Sequence, residues 1–145
     1  MVPNFHDGDY IITNKIGTRL GEPQRGEVII LQNPRNNDQD FIKRIIGLPL
    51  EKIKISEGKV YINGQPLEEP YLPVELRTSG GAFLANDEEI TIPEGQYFVM
   101  GDNRGGSSDS REWGPIKKDL IIGQAWLRYW PPQKFTLLQI SHASQ

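Results

Sequence analysis

Lys43 stands inside an otherwise apolar run, Asp40-Phe41-Ile42-Lys43-Arg44-Ile45-Ile46-Gly47-Leu48-Pro49. Strand alternation puts Phe41, Lys43 and Ile45 on one face and Ile42, Arg44 and Ile46 on the other. An ammonium between Phe and Ile loses water, which disfavours the charged form, so its pKa is expected to fall and the neutral amine can act as a base. The competing reading is a strand-edge lysine whose stem covers apolar surface while its head reaches solvent. A second concentration of chemistry is Gly101-Asp102-Asn103-Arg104-Gly105-Gly106-Ser107-Ser108-Asp109-Ser110-Arg111-Glu112-Trp113-Gly114. Short polar side chains and glycines at this density form a loop that holds itself by side-chain to backbone hydrogen bonds, with Asp102, Asp109, Arg104 and Arg111 able to pair internally. A calcium loop fits poorly because alternate oxygen ligands fail at Arg104 and Gly106, and the spacing of a phosphate loop is missing. A purely structural loop is the alternative. At the amino end, His6 with Asp7 and Asp9 offers metal-ligand types, but the only other histidine is His142 in the tail, so neither a metal nor a cofactor is expected.

These residues need strands to hold them. Helical periodicity is scarce, whereas short β-rich runs bounded by Gly, Pro, Asn and Asp recur, and 15 Gly and 11 Pro accompany them. Strands are expected near Tyr10–Asn14, Glu27–Gln32, Asp40–Gly47, Lys52–Ser56, Lys59–Ile62, Glu89–Ile92, Gln96–Met100 and Ile121–Tyr129. That makes a mainly β, barrel-like fold of short antiparallel strands. Asn63-Gly64 supplies the positive backbone angles of a tight hairpin turn between Lys59–Ile62 and Gln65-Pro66-Leu67. Glu68 to Asp87 has no period and contains Pro70, Pro73, Gly80 and Gly81, so it reads as an extended excursion. With its flanks, about residues 58–92, it is expected to be a β-ribbon insertion in a single domain spanning 1–145, being too short to bury its own core.

Composition narrows the classes. With 145 residues, 37% of them hydrophobic, the chain suits one modest core. The formal charge of −3 offers no broad cationic face for a nucleic-acid backbone. Without cysteine there is no disulfide, thiolate metal site or cysteine nucleophile. Apolar runs such as Val28-Ile29-Ile30-Leu31 fall far short of the roughly 18 residues of a membrane helix, so the chain as read is expected to be soluble, with any anchor upstream of Met1. Trp126, Tyr129, Trp130 and Phe135 read equally as core packing or as rings that dip into a membrane interface.

In chain order, these segments resemble the bacterial type I signal peptidases, membrane-anchored serine proteases that remove signal peptides from exported proteins. Met1-Val2-Pro3 with Asp7-Gly8-Asp9 resembles the end of the family's Ser-Met-x-Pro box. Arg25-Gly26-Glu27-Val28-Ile29 resembles the following Arg-Gly-Asp-Val strand. Lys43-Arg44-Ile45-Ile46-Gly47-Leu48-Pro49 resembles the lysine box, with Leu50-Glu51 where the family usually has Gly-Asp. Gly101 to Gly114 matches every fixed position of the Gly-Asp-Asn-Arg-x-x-Ser-x-Asp-Ser-Arg-x-Trp-Gly box.

The resemblance implies a Ser/Lys dyad in which a neutral lysine replaces the usual histidine. Lys43 maps onto that lysine and Ser107 onto the serine that hydrogen-bonds and orients it. Asp109 and Arg111 map onto a structural ion pair, and Asp102 and Asn103 join them as support. Met1, Asp40, Phe41 and Ile42 are expected to meet substrate: an extended signal peptide adds as a strand along Asp40–Lys43, with small residues of an Ala-x-Ala pattern in shallow pockets. The implied partners are signal peptides of exported preproteins and the lipid bilayer surface, not nucleic acid. The implied location is the extracytoplasmic side of the bacterial cytoplasmic membrane. The family's nucleophile directly precedes the methionine matched by Met1, so this sequence carries no equivalent serine and is expected to be inactive by itself. Two other readings stand beside this one: a non-catalytic signal-peptide-binding or accessory relative, and a self-cleaving repressor-type Ser/Lys protease domain.

Overall fold

The computed structural model describes residues 10–15 and 22–127. It is predominantly β, with one sheet curled into a half-barrel. The strands are β1 (Tyr10–Lys15), β2 (Val28–Asn33), β3 (Asn36–Gly47), β4 (Lys52–Ser56), β5 (Lys59–Ile62), β6 (Gln65–Pro66), β7 (Glu89–Thr91), β8 (Gln96–Met100), β9 (Ile116–Lys117) and β10 (Ile121–Leu127). One helical turn, α1 (Ser110–Trp113), and a 3-10 turn at Lys118–Leu120 complete the order. The strand expectations hold closely, with two differences. β3 begins four residues earlier, at Asn36, because Asn33 and Asn36 pair to close a tight hairpin with β2. The two-residue strand β9 and the turn α1 were not anticipated, since two to four residues carry no readable period.

Two antiparallel sheets result. The larger runs β1-β10-β2-β3-β8-β9 and the smaller β6-β5-β4-β7. The turn at Asn63 (φ 51°) and Gly64 (φ 80°) has the positive angles its sequence demands, and Glu57 (φ 53°) with Gly58 (φ 79°) repeats the device between β4 and β5. The smaller sheet starts at β4, so it takes in more chain than the 58–92 stretch. Residues 68–87 carry no strand and lie along this sheet, with Thr78 N–H donating to Gly58 O (2.9 Å) and Asp87 N–H to Ile55 O (2.7 Å).

From Lys43 to Gly47, β3 is buried on both faces, as β8 is from Tyr97 to Met100, because each there separates two cores. Ile45, Tyr97 and Val99 turn to a core with Ile29, Leu31, Ile116 and Ile121. Ile46, Phe98 and Met100 turn to another, built on Ile53, Ile55, Val60, Ile62, Leu84 and Ile92 from the smaller sheet and the excursion. A strand gripped from both sides is held in one register, since a slip of one residue would exchange its two faces. That fixes the direction in which Lys43 and Arg44 point.

Candidate active site

Lys43 is 8% exposed, and its Nζ lies 2.7 Å from Ser107 Oγ and 4.9 Å from the centroid of the Phe41 ring. Among the described residues no carboxylate forms an ion pair with it. Burial pulls the Lys43 pKa below the usual lysine range; Asp109 pulls it back up, Arg111 pushes it further down, and Asp102 raises it weakly. A buried amine facing a hydroxyl, with its pKa lowered by burial, is better suited to give and take protons than an exposed lysine. The side chain does not reach out to solvent.

Ser107 arrives from the loop between β8 and α1, which is tied down at several points. Asp109 caps α1, accepting from the Arg111 N–H (3.1 Å), and it also accepts from the Gly101 N–H (3.1 Å). Arg111 Nε and Nη2 each donate to Asp109 at 2.8 Å, so these two form a pair within the loop. Burial alone would raise the Asp109 pKa, but Arg111 and the two backbone N–H groups hold it below the usual carboxylate range. The Ser110 hydroxyl accepts from the Val99 N–H (2.9 Å), fastening the loop to β8. Gly101 makes the approach possible: a Cβ there would overlap Ser107 Oγ and Cβ and come within 3.4 Å of Lys43 Nζ.

The other two charged residues of the loop do not pair with each other. Asp102 accepts from Arg44 on the far face of β3, Nε at 3.0 Å and Nη2 at 2.8 Å. Arg104 reaches Glu69 in the excursion, Nη2 at 2.5 Å and Nη1 at 3.2 Å. The expectation of internal pairing therefore holds for Asp109 with Arg111 and fails for Asp102 and Arg104. Each of the latter finds its partner on another element. Asn103 is exposed, and its carbonyl accepts from the Gly106 N–H (3.0 Å).

Of the expected substrate-contacting residues, Asp40 is exposed while Phe41 and Ile42 are half-buried. Phe41 stacks on Trp113, ring centroids 6.4 Å apart and planes 13° from parallel. β3 pairs with β2 through Arg44 to Asp40, but β8 pairs only with Arg44, Ile45 and Gly47. From Asp40 to Lys43 the side away from β2 is therefore unpaired among the described residues. Ile45 exchanges its backbone hydrogen bonds with Gly26 and Glu27, which lead into β2. By alternation Asp40 and Ile42 turn their N–H and C=O toward the unpaired side. Met1, the His6, Asp7 and Asp9 group, and Tyr129, Trp130 and Phe135 lie outside the described residues, and Trp126 is described by backbone alone.

Sequence reasoning assigned no role to Arg44, Glu69, Tyr71 or Thr78. Arg44 carried a signal, since a guanidinium on the inward face of an apolar strand needs a buried anion. Glu69 and Thr78 carried none.

The curled antiparallel β domain thus brings a buried lysine amine within hydrogen-bond reach of a serine hydroxyl. Residues 1–130 match the family described as "Signal peptidase, peptidase S26", and the chain belongs to that family. It is 38% identical over 144 residues to the probable signal peptidase I-2 of Synechocystis, covering 95% of this chain and 62% of that protein. It is 35% identical over 146 residues to signal peptidase IB of Staphylococcus aureus strain Mu50, covering 93% of this chain and 75% of that protein. The crystal structure of a signal peptidase I from Enterococcus faecalis superposes with a TM-score of 0.58 at 32% identity, covering 73% of this chain and 98% of that one. The chain thus spans less than two thirds of the Synechocystis relative.

Proposed function

We propose that this chain is the catalytic domain of a membrane-bound signal peptidase that cuts signal peptides from exported preproteins after an Ala-x-Ala-like pattern. The observation that carries the reading is the buried Lys43 amine, 2.7 Å from Ser107 Oγ and without an ion-pair partner among the described residues. The nucleophile in this reading is a serine joined directly to the amino side of Met1. Lys43 Nζ takes the serine proton as the oxygen bonds to the scissile carbonyl carbon. The C–N bond then breaks, the leaving amine receives the proton from Lys43, and an acyl-enzyme remains. Water gives a proton to Lys43 as it bonds to the ester carbon, the C–O bond to the serine breaks, and the serine oxygen takes the proton back from Lys43 as the acid product leaves. Ser107 orients the amine throughout, while Asp102, Asn103, Asp109 and Arg111 support the loop that carries it.

Substrate enters as an added strand. The N–H and C=O groups of Asp40 and Ile42 face the side of β3 that is unpaired among the described residues, where an extended peptide completes the ladder. Phe41, Ile42 and Met1 line the pockets for the small side chains. The working position is the extracytoplasmic face of the bacterial cytoplasmic membrane, at the bilayer surface where signal peptides are held.

The test is a protein with a serine and its native upstream residues placed before Met1, incubated with an Ala-x-Ala peptide over a series of rising pH, since burial lowers the Lys43 pKa and the neutral amine is the base. Cleavage after the second alanine that disappears in Lys43→Met supports the reading. Ser107→Ala should leave a residual rate, because a helper is not the nucleophile. Absence of cleavage with the peptide still bound would instead favour a non-catalytic signal-peptide binder.

A further inference from the structure

We propose that Glu69, in the irregular stretch between β6 and β7, is a positioning residue for the Lys43 and Ser107 pair, acting through Arg104 on the Gly101 peptide. Its meaning for catalysis rests on the Ser/Lys reading above; its geometry and its test do not.

Gly101 is the backbone against which Ser107 lies, with no room for one side-chain carbon between them. Its peptide groups are held from two directions. The N–H donates to Asp109 Oδ2 (3.1 Å), and the C=O accepts from Arg104 Nε (2.8 Å). A shift of a few tenths of an ångström at Gly101 therefore moves Ser107 Oγ relative to Lys43 Nζ.

Arg104 can hold that carbonyl only if its own charge is satisfied, since it is 4% exposed. Its remaining donors go to the excursion: Nη1 to Glu69 Oε1 (3.2 Å) and Thr78 Oγ1 (3.1 Å), and Nη2 to Glu69 Oε2 (2.5 Å). Burial pushes the Arg104 pKa down, and Glu69, with Tyr71 and Asp102, brings it back above the ordinary value, so the carboxylate offsets much of the cost of burying this cation. A buried guanidinium stripped of its anion is strongly unfavourable, and the loop would move to hydrate it. Solvent stands close by, because Glu69 and Thr78 also line a cleft of about 530 Å³.

Tyr71 strengthens the same point. Its hydroxyl donates to Glu69 Oε2 (2.9 Å), and the Arg44 guanidinium lies 3.9 Å from its ring centroid. The excursion thus closes a buried cluster of two guanidiniums, Arg44 and Arg104, and two carboxylates, Asp102 and Glu69. The charges that act on Lys43 directly are Asp109, Arg111 and Asp102, so Glu69 works by geometry rather than by its own field.

The test uses the 145-residue chain labelled with carbon-13 and nitrogen-15, following the Lys43 side-chain shifts by NMR as a function of pH. With Glu69→Gln, the loosened Gly101 and Ser107 admit water, and the Lys43 midpoint is expected to rise toward that of an ordinary lysine. In an Arg104→Met background, where no guanidinium needs a partner, adding Glu69→Gln should leave the midpoint where Arg104→Met put it. A folded Glu69→Gln protein whose midpoint stays or falls overturns the proposal, and so does an equal rise in the Arg104→Met background. If Glu69→Gln does not fold, Thr78→Val removes one Arg104 acceptor without stranding a charge. A smaller rise is then expected, and no rise overturns the proposal. No cleavage is read, so a serine-extended protein that fails to hydrolyse peptides would remove the catalytic reading without touching this result.

Discussion

Arg44 and Asp102 form a two-pronged ion pair at 3.0 and 2.8 Å, 2% and 0% exposed, that joins β3 to the Ser107 loop across 58 residues of sequence. A third donor of Arg44 goes to the Gly26 carbonyl (2.9 Å). Lys43 and Arg44 are adjacent on one strand, so one faces the serine and the other anchors the loop that brings it.

Removing one member of this pair leaves a buried charge without its counter-charge. Asp102→Asn and Arg44→Met are each expected to lower stability by about 3–5 kcal/mol, and the double variant by less than the sum. Urea unfolding of the four proteins measures this. Additive losses would show that the pair is not coupled.

Gly101→Ala places a carbon where Ser107 Oγ and Cβ already lie. The flexible partner is the serine, which must swing away, so the strain is expected to be about 1–3 kcal/mol. The readouts are loss of the Lys43 to Ser107 contact in a crystal structure of the variant and, in the serine-extended protein, a fall in kcat with little change in KM. Retained kcat would mean that Ser107 is not needed to orient the amine.

The lowered pKa of Lys43 has a sign in stability as well as in activity. In the unfolded chain the amine titrates near its ordinary value of about 10.4. Between the folded and unfolded values the unfolded chain binds more protons, so this group makes stability rise with pH through that window. Below the folded value the full penalty of burying an ammonium is present. Lys43→Met should therefore be more stable than the parent at about pH 7, with the gap closing toward about pH 10. Chemical denaturation across that range decides it, and a gap that widens with pH would contradict a depressed pKa. Activity of the serine-extended protein should rise through the same folded-state pKa.

Leu50 sits at φ 71° and is 66% exposed, in the turn after Pro49 where the family usually has glycine. A left-handed backbone costs a non-glycine residue about 1–2 kcal/mol, against about 0.5–1 kcal/mol of extra chain freedom that glycine loses on folding. Leu50→Gly is expected to stabilise the domain by about 0.5–1 kcal/mol, read as a raised thermal midpoint. Its neighbour Glu51 keeps the turn in place, accepting from the Leu48 N–H (2.7 Å) and pairing with Arg25 at 2.6 and 2.7 Å. No gain in stability would mean that the left-handed angle carries no strain here.

Much of the domain is legible in its residues one strand at a time. Alternation in Asp40–Gly47 and Gln96–Met100 marks strands, Asn63-Gly64 marks a hairpin, and the apolar neighbours of Lys43 mark a desolvated amine, because each signal lies within a few residues. The polar density of Gly101 to Gly114 likewise marks a self-bonded loop, and Asp109 with Arg111 meets that expectation over a span of two residues. The tertiary structure decided the rest. Which guanidinium meets Asp102, which carboxylate meets Arg104, and that Ser107 stops 2.7 Å from Lys43 depend on separations of 58, 35 and 64 residues. Pairings at that range follow from how β3 and β8 are clamped between two cores, and no local period or propensity encodes them. The excursion shows this most plainly. Its composition reads as irregular surface chain, yet Glu69, Tyr71 and Thr78 supply the partners that let a buried arginine hold the backbone beneath the serine.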